Sequence, residues 1–269
     1  MPEGHTLHRL ARLHQRRYAG APVRVASPQG RFAGEAAQLD GHELRGAEAY
    51  GKHLFHDYGP QGTVHVHLGL YGTFAEAKLP DTPPVGQVRM RLVGRTHWTD
   101  LRGPTRCELI TEPEAEAIKD RLGPDPLRRD ARPDLAWDRI SRSRTTIAAL
   151  LMDQSVLAGV GNVYRAEVLF RHGIAPMLPG RSLDSVLWKD VWDDLVTLMR
   201  AGVRSGRIDT VADEHLPEVT GRAPREDRHG GEVYVYRRTG QPCLVCGTPV
   251  AHKELAARNL YWCPTCQPA

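Results

Sequence analysis

The middle of the chain reads LLMDQSVLAGVGNVY from Leu150 to Tyr164. Helical periodicity covers the residues up to Met152 and resumes after Asn162, and a glycine-rich break at 159–162 separates the two segments. Glycines let a backbone approach a phosphate closely, and the N-terminus of the helix that follows supplies N–H donors for it. The stretch therefore predicts two helices separated by a glycine-rich break, which is either a simple helix–helix turn or a turn that can hold an anion.

The helical pattern extends on both sides of this break, over about 134–205, and it includes a further helix over about 183–201. The preceding segment, 112–135, contains four prolines and predicts a short helix followed by a linker. Residues 203–232 are polar and contain several glycines, which is typical of a loop.

The N-terminal part of the chain has a different pattern. Residues 6–18 predict a helix, because leucines recur on one face and Gly20 provides a stop signal. From about 22 to 111 the period changes to two, and glycine or proline punctuates the runs every ~8–12 residues. This pattern predicts an antiparallel β-sandwich or barrel.

Four of the five cysteines form two pairs near the end of the chain: Cys243, Cys246, Cys263 and Cys266. Two residues separate the members of each pair and sixteen residues separate the pairs, which is the spacing of a four-thiolate structural zinc site. Disulfides are the alternative, but the chain shows no secretory signal and this spacing favours metal. The residues between the pairs predict two hairpin strands, and the fifth cysteine, Cys107, is expected in a strand.

Composition limits the class of protein. The chain has 269 residues, of which 41% are hydrophobic and 25% charged, so we expect two globular domains and exclude a fibrous or wholly disordered chain. No apolar run is long enough for a membrane helix and no secretory pattern is present, which predicts a cytoplasmic protein without a membrane partner. The net charge is +4, and only five of the 36 cations are lysine; arginine suits phosphate, although GC-rich coding explains the same bias.

Three separate motifs together resemble one known family. They are the N-terminal Pro2-Glu3-Gly4, the stretch Leu150–Tyr164 and the closing segment Arg258–Gln267. In this order they resemble the formamidopyrimidine-DNA glycosylase and endonuclease VIII family of base-excision repair. The resemblance implies an α+β fold of two domains, in which an N-terminal helix and antiparallel β-sandwich precede a helical domain with a helix-two-turns-helix motif and a four-Cys zinc ribbon hairpin.

The resulting division has four parts: a catalytic domain at 1–112, a linker at 113–133, a DNA-binding domain at 134–232 and a zinc ribbon at 233–269. The family's pattern implies that one zinc ion is structural, since a closed shell of four cysteines leaves no position for a reacting water.

The resemblance also assigns catalytic roles to three residues. Pro2, once Met1 is removed, would be a secondary amine that attacks the sugar of a damaged nucleotide and forms an iminium link. A helix that begins close by would disfavour the charged form of this amine. Glu3 would protonate the sugar ring oxygen and later shuttle protons. Lys52, on a turn after Gly51, matches the family's lysine that contacts the phosphate beside the lesion.

Four residues are expected to bind DNA. The family places a phosphate on the asparagine that matches Asn162 and on the arginine that matches Arg258. Leu70 and Tyr71 match the wedge of the endonuclease VIII branch, whose apolar side chains fill the gap left by a flipped-out base. Packing inside a strand is the other explanation for these two residues.

Three positions depart from the family's pattern. Thr6 stands where a second glutamate is common, and Gly69 stands where endonuclease VIII has a polar wedge residue. His5 replaces a common proline and receives no role. The departure at Thr6 leaves one proton-transfer step open, and the departure at Gly69 leaves the opposite-base preference open.

The sequence therefore predicts a monomeric, bifunctional DNA glycosylase and AP lyase that acts on damaged double-stranded DNA, removes oxidised pyrimidines and ends with β,δ-elimination. The alternative enzyme is a glycosylase for oxidised purines. The alternative from another class is a zinc-ribbon DNA-binding protein whose catalytic apparatus has decayed.

Overall fold

The computed structural model describes residues 2–226 and 231–269. It groups the chain into two compact units, Met1–Arg121 and Leu122–Ala269, which are called the N-terminal and C-terminal units below. The finer division into four parts stays a prediction.

The N-terminal unit begins with a helix, α1 (Gly4–Tyr18), where the sequence predicts one. Its strands are β1 (Ala21–Pro22), β2 (Arg24–Ala26), β3 (Glu43–Leu44), β4 (Gly46–Tyr50), β5 (His53–Asp57), β6 (Thr63–His67), β7 (Thr73–Lys78), β8 (Val88–Val93), β9 (His97–Arg102) and β10 (Arg106–Ile110). Two further helices are α2 (Ala33–Leu39) and α3 (Glu112–Asp120). Cys107 is half-buried on β10, as expected of a strand residue.

The described strands of this unit form two antiparallel sheets of four strands, in the orders β10-β6-β5-β4 and β2-β8-β9-β7, and β1 pairs with β3. Alternation along each strand sends one set of side chains inward. The core joins both sheets and α1 and includes Leu7, Leu54, Val64, Val66, Met90 and Leu101. Burying each such side chain stabilises the fold by roughly 1.5–3 kcal/mol. The predicted β-sandwich is confirmed.

The C-terminal unit is helical and ends in a hairpin. Its helices are α4 (Pro133–Ile140), α5 (Ile147–Leu150), α6 (Asn162–Arg171), α7 (Ser185–Ser205) and α8 (Pro217–Thr220), and its strands are β11 (Ala251–Leu255) and β12 (Arg258–Trp262). The helices predicted on either side of the glycine-rich break are α5 and α6. The Asp184 carboxylate caps α7 by accepting the Val186 N–H at 2.7 Å, and Gly206 ends this helix at φ 79°.

The ribbon hairpin is not a separate hydrophobic body. Its residues Val250, Leu260 and Cys263 belong to the same buried cluster as Val163 and Leu169 of α6. A hairpin this small cannot bury a core by itself, so it depends on this shared cluster and on a metal.

One buried carboxylate fastens α6 to the segment that leads into the ribbon. Glu167 accepts the backbone N–H groups of three consecutive residues, Tyr234 at 2.6 Å, Val235 at 2.9 Å and Tyr236 at 2.8 Å. The Thr210 hydroxyl donates to the same carboxylate at 2.6 Å. Four donors thus compensate for removing this charge from water.

Among the described residues, no helix has the length and the apolar composition needed to cross a membrane.

We expect Glu167→Gln to lower the free energy of unfolding of the C-terminal unit by about 1–3 kcal/mol, because an amide NH₂ would face backbone donors that then lose their acceptor. Urea unfolding followed by tryptophan fluorescence measures this loss. Thr210→Val is the matched control, since it removes one of the four hydrogen bonds and leaves the carboxylate in place. A loss for Glu167→Gln no larger than that for Thr210→Val would contradict the assigned role of the carboxylate.

Candidate active site and nucleic-acid interface

Pro2 and Glu3 lie at the start of α1. Glu3 is the N-cap residue, and its backbone carbonyl accepts the Thr6 N–H at 2.9 Å. The residue is 0% exposed, and its side chain makes no capping hydrogen bond, so only its backbone caps the helix. Pro2 is half-buried beside it, at the positive end of the helix dipole. Met1 lies outside the described residues.

His5 and Thr6, the two residues near the start of α1 that depart from the family's pattern, lie against each other. The hydroxyl of Thr6 is 3.3 Å from Nε2 of His5, which is buried. Burial is the largest cause that lowers the pKa of His5, to about 4, so this ring is neutral at pH 7. The start of α1 therefore carries a neutral pair where the family often has a carboxylate.

Lys52 lies on the turn between β4 and β5, where the sequence predicts it. The turn needs the preceding glycine, because Gly51 has φ 56°. The side chain of Lys52 is half-buried. The charge of Lys52 reaches His67 of β6: burial lowers the pKa of His67 most, and His65 and Lys52 lower it further.

A row of histidines on β5 and β6 accompanies this turn. His65 joins Glu108 of β10 through Nδ1 at 2.9 Å, and its Nε2 lies 2.8 Å from Nδ1 of His53. His53 and His67 are directly paired across the strands, with ring centroids 5.0 Å apart. Sequence analysis assigns these histidines no role, although the alternation of histidine with valine over 63–68 is the signal that places them on the face away from the core.

Leu70 and Tyr71 lie on the turn between β6 and β7. Tyr71 is 86% exposed and Leu70 is 48% exposed. Packing inside a strand therefore does not explain two large hydrophobic residues at this place. The turn is closed by the Gly72 N–H, which donates to the Leu68 carbonyl at 2.9 Å.

In the C-terminal unit, the structure brings Asn162 and the ribbon hairpin together. Asn162 is the first residue of α6, and its Nδ2 donates to the backbone carbonyl of Asn259 at 2.9 Å. Arg258, the neighbour of Asn259, is exposed and begins β12. The side chain of Asn162 thus supports the hairpin that carries Arg258.

Arg165 is a third member of this contact, and sequence analysis missed it. Its guanidinium donates to the Asn259 carbonyl at 3.0 Å and also to the side chain of Asn162. The residue is 1% exposed, which is rare for arginine. The available signal was a charged residue on a face of α6 that is otherwise apolar.

The four cysteine sulfurs converge as the spacing predicts. All four Sγ atoms of Cys243, Cys246, Cys263 and Cys266 lie within 4.8 Å of one another. Sulfurs at the corners of a zinc tetrahedron stand about 3.8 Å apart, so this arrangement fits the ion. Sulfur pairs at 3.4 Å and 3.9 Å are also too long for disulfides, which need about 2.05 Å.

The predicted site residues fall into two sets. Pro2, Glu3, Lys52, Leu70 and Tyr71 belong to the N-terminal unit, and Asn162, Arg258 and the cysteine cluster belong to the C-terminal unit. A buried glutamate beside Pro2 at a helix start, two helices joined through a glycine-rich break and a four-cysteine hairpin are the features expected of a DNA-repair glycosylase with a structural zinc.

Comparison with known proteins agrees with this class. Three family profiles match: the formamidopyrimidine-DNA glycosylase N-terminal domain over residues 1–107, the H2TH domain of the same glycosylase over 122–213, and the zinc finger found in FPG and IleRS over 240–269. Endonuclease 8 1 of Mycobacterium tuberculosis is 57% identical over 274 residues, which cover 99% of this chain and 100% of that protein.

Relatives of lower identity are named formamidopyrimidine-DNA glycosylase, after the other branch of the family. Formamidopyrimidine-DNA glycosylase of Methylococcus capsulatus is 31% identical and covers 99% of this chain and 98% of its own. The Lactococcus lactis Fpg, solved in complex with DNA containing an abasic site, superimposes with a TM-score of 0.79 at 21% identity, covering 99% of this chain and 100% of that chain.

The chain belongs to the formamidopyrimidine-DNA glycosylase and endonuclease VIII family. It is therefore a base-excision repair enzyme that combines DNA glycosylase and AP-lyase activities. The resemblance found in the sequence, the α+β fold and the single structural zinc are confirmed.

We expect Cys243→Ser to lose the zinc and, with it, most of the DNA affinity, because the hairpin that carries Arg258 has no core of its own. Metal content per chain and equilibrium binding to duplex DNA measure the two effects. Cys107→Ser, outside the cluster, should keep both the zinc and the binding. A zinc-free Cys243→Ser protein that binds DNA like the parent would show that the ribbon is dispensable.

The buried histidines predict how stability depends on pH in the N-terminal unit. Burial lowers the pKa of His53 to about 3 and that of His56 well below 6.5. In the unfolded chain both rings titrate near 6.5, so below this pH the unfolded chain binds protons that the folded chain does not. The free energy of unfolding should therefore fall as the pH drops from 7 to 5, by at most about 1.4 kcal/mol per pH unit for each ring.

Hydrogen exchange of amides in β5 and β6, corrected for the intrinsic rate, isolates this effect from loss of zinc in the other unit. His56→Gln, which keeps a hydrogen-bonding group beside His14, should make the pH dependence shallower. Protection that does not change between pH 7 and 5 would refute the assignment.

Proposed function

We propose that this enzyme removes oxidised pyrimidines from double-stranded DNA, with Pro2 as the nucleophile, and that it cleaves the strand by β,δ-elimination. The observation that carries the chemistry is the fully buried carboxyl group of Glu3, placed next to Pro2 at the start of α1. The pyrimidine preference rests on the 57% identity with an endonuclease 8 over the whole chain and on the exposed Leu70 and Tyr71.

The proposed reaction begins when removal of Met1 makes Pro2 a free secondary amine. Its nitrogen bonds to C1′ of the damaged nucleotide while the bond from C1′ to the base breaks; the base leaves with the bonding electron pair and takes up the proton that the amine loses. Glu3 gives a proton to the sugar ring oxygen, the ring opens, and the link becomes an iminium ion. The iminium acidifies the C2′ protons, so loss of one expels the 3′ phosphate, a second elimination expels the 5′ phosphate, and water releases Pro2.

Placement of the α1 N-terminus supports this chemistry. The positive end of the helix dipole favours the uncharged amine, which is the nucleophilic form. His5 is neutral at pH 7 because burial holds its pKa near 4, so it adds no competing charge to the site.

The proposed DNA contacts divide between phosphate and base. Lys52 and Arg258 bind phosphates beside the lesion, and Leu70 and Tyr71 enter the gap left by the extruded base. Asn162 uses one N–H of its Nδ2 on the Asn259 carbonyl, which leaves the second N–H as the donor for a phosphate. We propose that its larger contribution is to hold Arg258 in position.

We also propose that the enzyme works as a monomer on damaged duplex in the bacterial cytoplasm, at the nucleoid. A two-unit chain that carries every proposed site residue needs no second copy to complete the site. DNA affinity should fall steeply with salt because phosphate contacts displace counterions.

Oxidised purines are the second candidate substrate. The formamidopyrimidine-DNA glycosylase name of relatives at 31% identity favours them, whereas the segment Asp100–Cys107 lacks the arginine-x-phenylalanine that the purine branch is expected to carry. Duplexes that contain thymine glycol, dihydrouracil or 8-oxoguanine, cleaved under single-turnover conditions, distinguish the two. Faster cleavage at 8-oxoguanine than at both pyrimidine lesions would replace the pyrimidine proposal.

Borohydride trapping tests the nucleophile. The parent enzyme should form a covalent adduct with DNA containing dihydrouracil, and Pro2→Gly should reduce its yield by about tenfold or more, because the primary amine lacks the proline ring's fixed orientation. Glu3→Gln should slow base removal by about 100-fold or more yet still trap on abasic DNA, where the base is already absent.

Mass spectrometry of the parent must find Pro2 as the first residue. Full activity in a preparation that retains Met1 would contradict the mechanism. Binding to damaged DNA without any adduct would favour the decayed DNA-binding protein instead.

A further inference from the structure

The turn that carries Leu70 and Tyr71 has no room for a side chain at position 69. Gly69 has φ 66°, in the left-handed region, and a Cβ built there would lie 1.8 Å from Oγ1 of Thr105 and 3.2 Å from its Cβ. The Thr105 hydroxyl therefore occupies the place where a side chain at position 69 would begin.

Thr105 reaches this place from a different turn, the one between β9 and β10. Its backbone N–H donates to the carbonyl of His67, the last residue of β6, at 2.9 Å. The residue is exposed, and its hydroxyl makes no hydrogen bond with the residues that the structure describes. A hydroxyl group thus lies against Gly69, the residue before Leu70, and it can still donate and accept a hydrogen bond.

The surrounding backbone holds the two turns in a fixed relation. The Gly69 N–H donates to Nδ1 of His67 at 3.1 Å. At the other end of the turn, a Cβ on Gly72 would lie 2.3 Å from the Leu68 carbonyl oxygen, so this glycine is also required. The Tyr71 carbonyl oxygen comes within 3.5 Å of the Cβ position of Gly103, which puts the second turn against the first.

We propose that Thr105 is the polar member of the wedge and that its hydroxyl reads the base opposite the lesion. Leu70 and Tyr71 fill space and stack, but apolar contacts discriminate poorly among bases, whereas a hydroxyl can donate to or accept from a base edge. Gly69 supplies no side chain for this task, and Thr105 fills its place. The inference rests on the proposed function, because it assigns a role within the same wedge.

The test compares single-turnover cleavage of dihydrouracil placed opposite adenine and opposite guanine. The parent should show a clear ratio between the two rates. Thr105→Val keeps the shape and removes the hydroxyl, and it should change that ratio by about threefold to tenfold, the range for one hydrogen bond. Thr105→Ser keeps the hydroxyl and should keep the parent ratio.

Borohydride trapping on single-stranded abasic DNA is the matched control, since that substrate has no opposite base. Thr105→Val should trap like the parent there. If the parent traps but discriminates equally before and after Thr105→Val, or does not discriminate at all, Thr105 does not read the opposite base. If the parent fails to trap on duplex DNA that contains an abasic site, the proposed catalytic mechanism fails instead, and the two failures are thereby distinguished.

Discussion

The buried carboxylate of Glu167 is the contact on which the C-terminal unit depends. It collects three consecutive N–H groups of 234–236, the segment that leads into the ribbon, while Asn162 and Arg165 at the start of the same helix hold the Asn259 carbonyl near the hairpin's end. Helix α6 therefore contacts the ribbon and the segment before it at two points, which lie about one and a half helical turns apart. Zinc holds the four cysteines of the hairpin together, and the contacts with α6 fix the position of the hairpin in the C-terminal unit. Arg258 owes its position to both.

In the N-terminal unit, turns hold the proposed functional side chains in position. Its proposed functional side chains stand at the start of α1, on the β4–β5 turn and on the β6–β7 turn, and each turn carries a glycine whose backbone other residues cannot adopt without strain. Packing of the sandwich core fixes the strand ends, and the glycines fix how the chain leaves them. A rigid base thus presents short, exposed tips such as Tyr71, which suits insertion into DNA better than a long mobile loop.

Periodicity and cysteine spacing predicted most of the architecture, because both report local geometry. The helix at 6–18, the two helices around the glycine-rich break and the four-sulfur cluster were all recoverable this way. The ribbon hairpin was also predicted, but the conformation of its β11–β12 turn was not, since Ala256 and Ala257 adopt φ 50° and 55°, a conformation usually signalled by asparagine and glycine. The contact of Arg165 with Asn259 and the contact of Gly69 with Thr105 were also hidden, although the charge of Arg165 within an apolar stretch of α6 was visible. Each depends on residues about 36 or more positions apart, which no local pattern reports.

The charge distribution explains how a mildly basic chain can be suited to phosphate. Its net charge is only +4, so summed charge contributes little and the positions of individual cations matter more. Burial lowers the pKa values of His53, His65 and His67, and these rings stay neutral at pH 7 around Lys52. Because neutral rings do not repel the ammonium, the proposed phosphate at this turn would meet the charges of Lys52 and Arg106, both of which lower the pKa of His67. The histidine row thus leaves the positive charge at this turn to the lysine and the arginine, and it adds nothing to the net charge at pH 7.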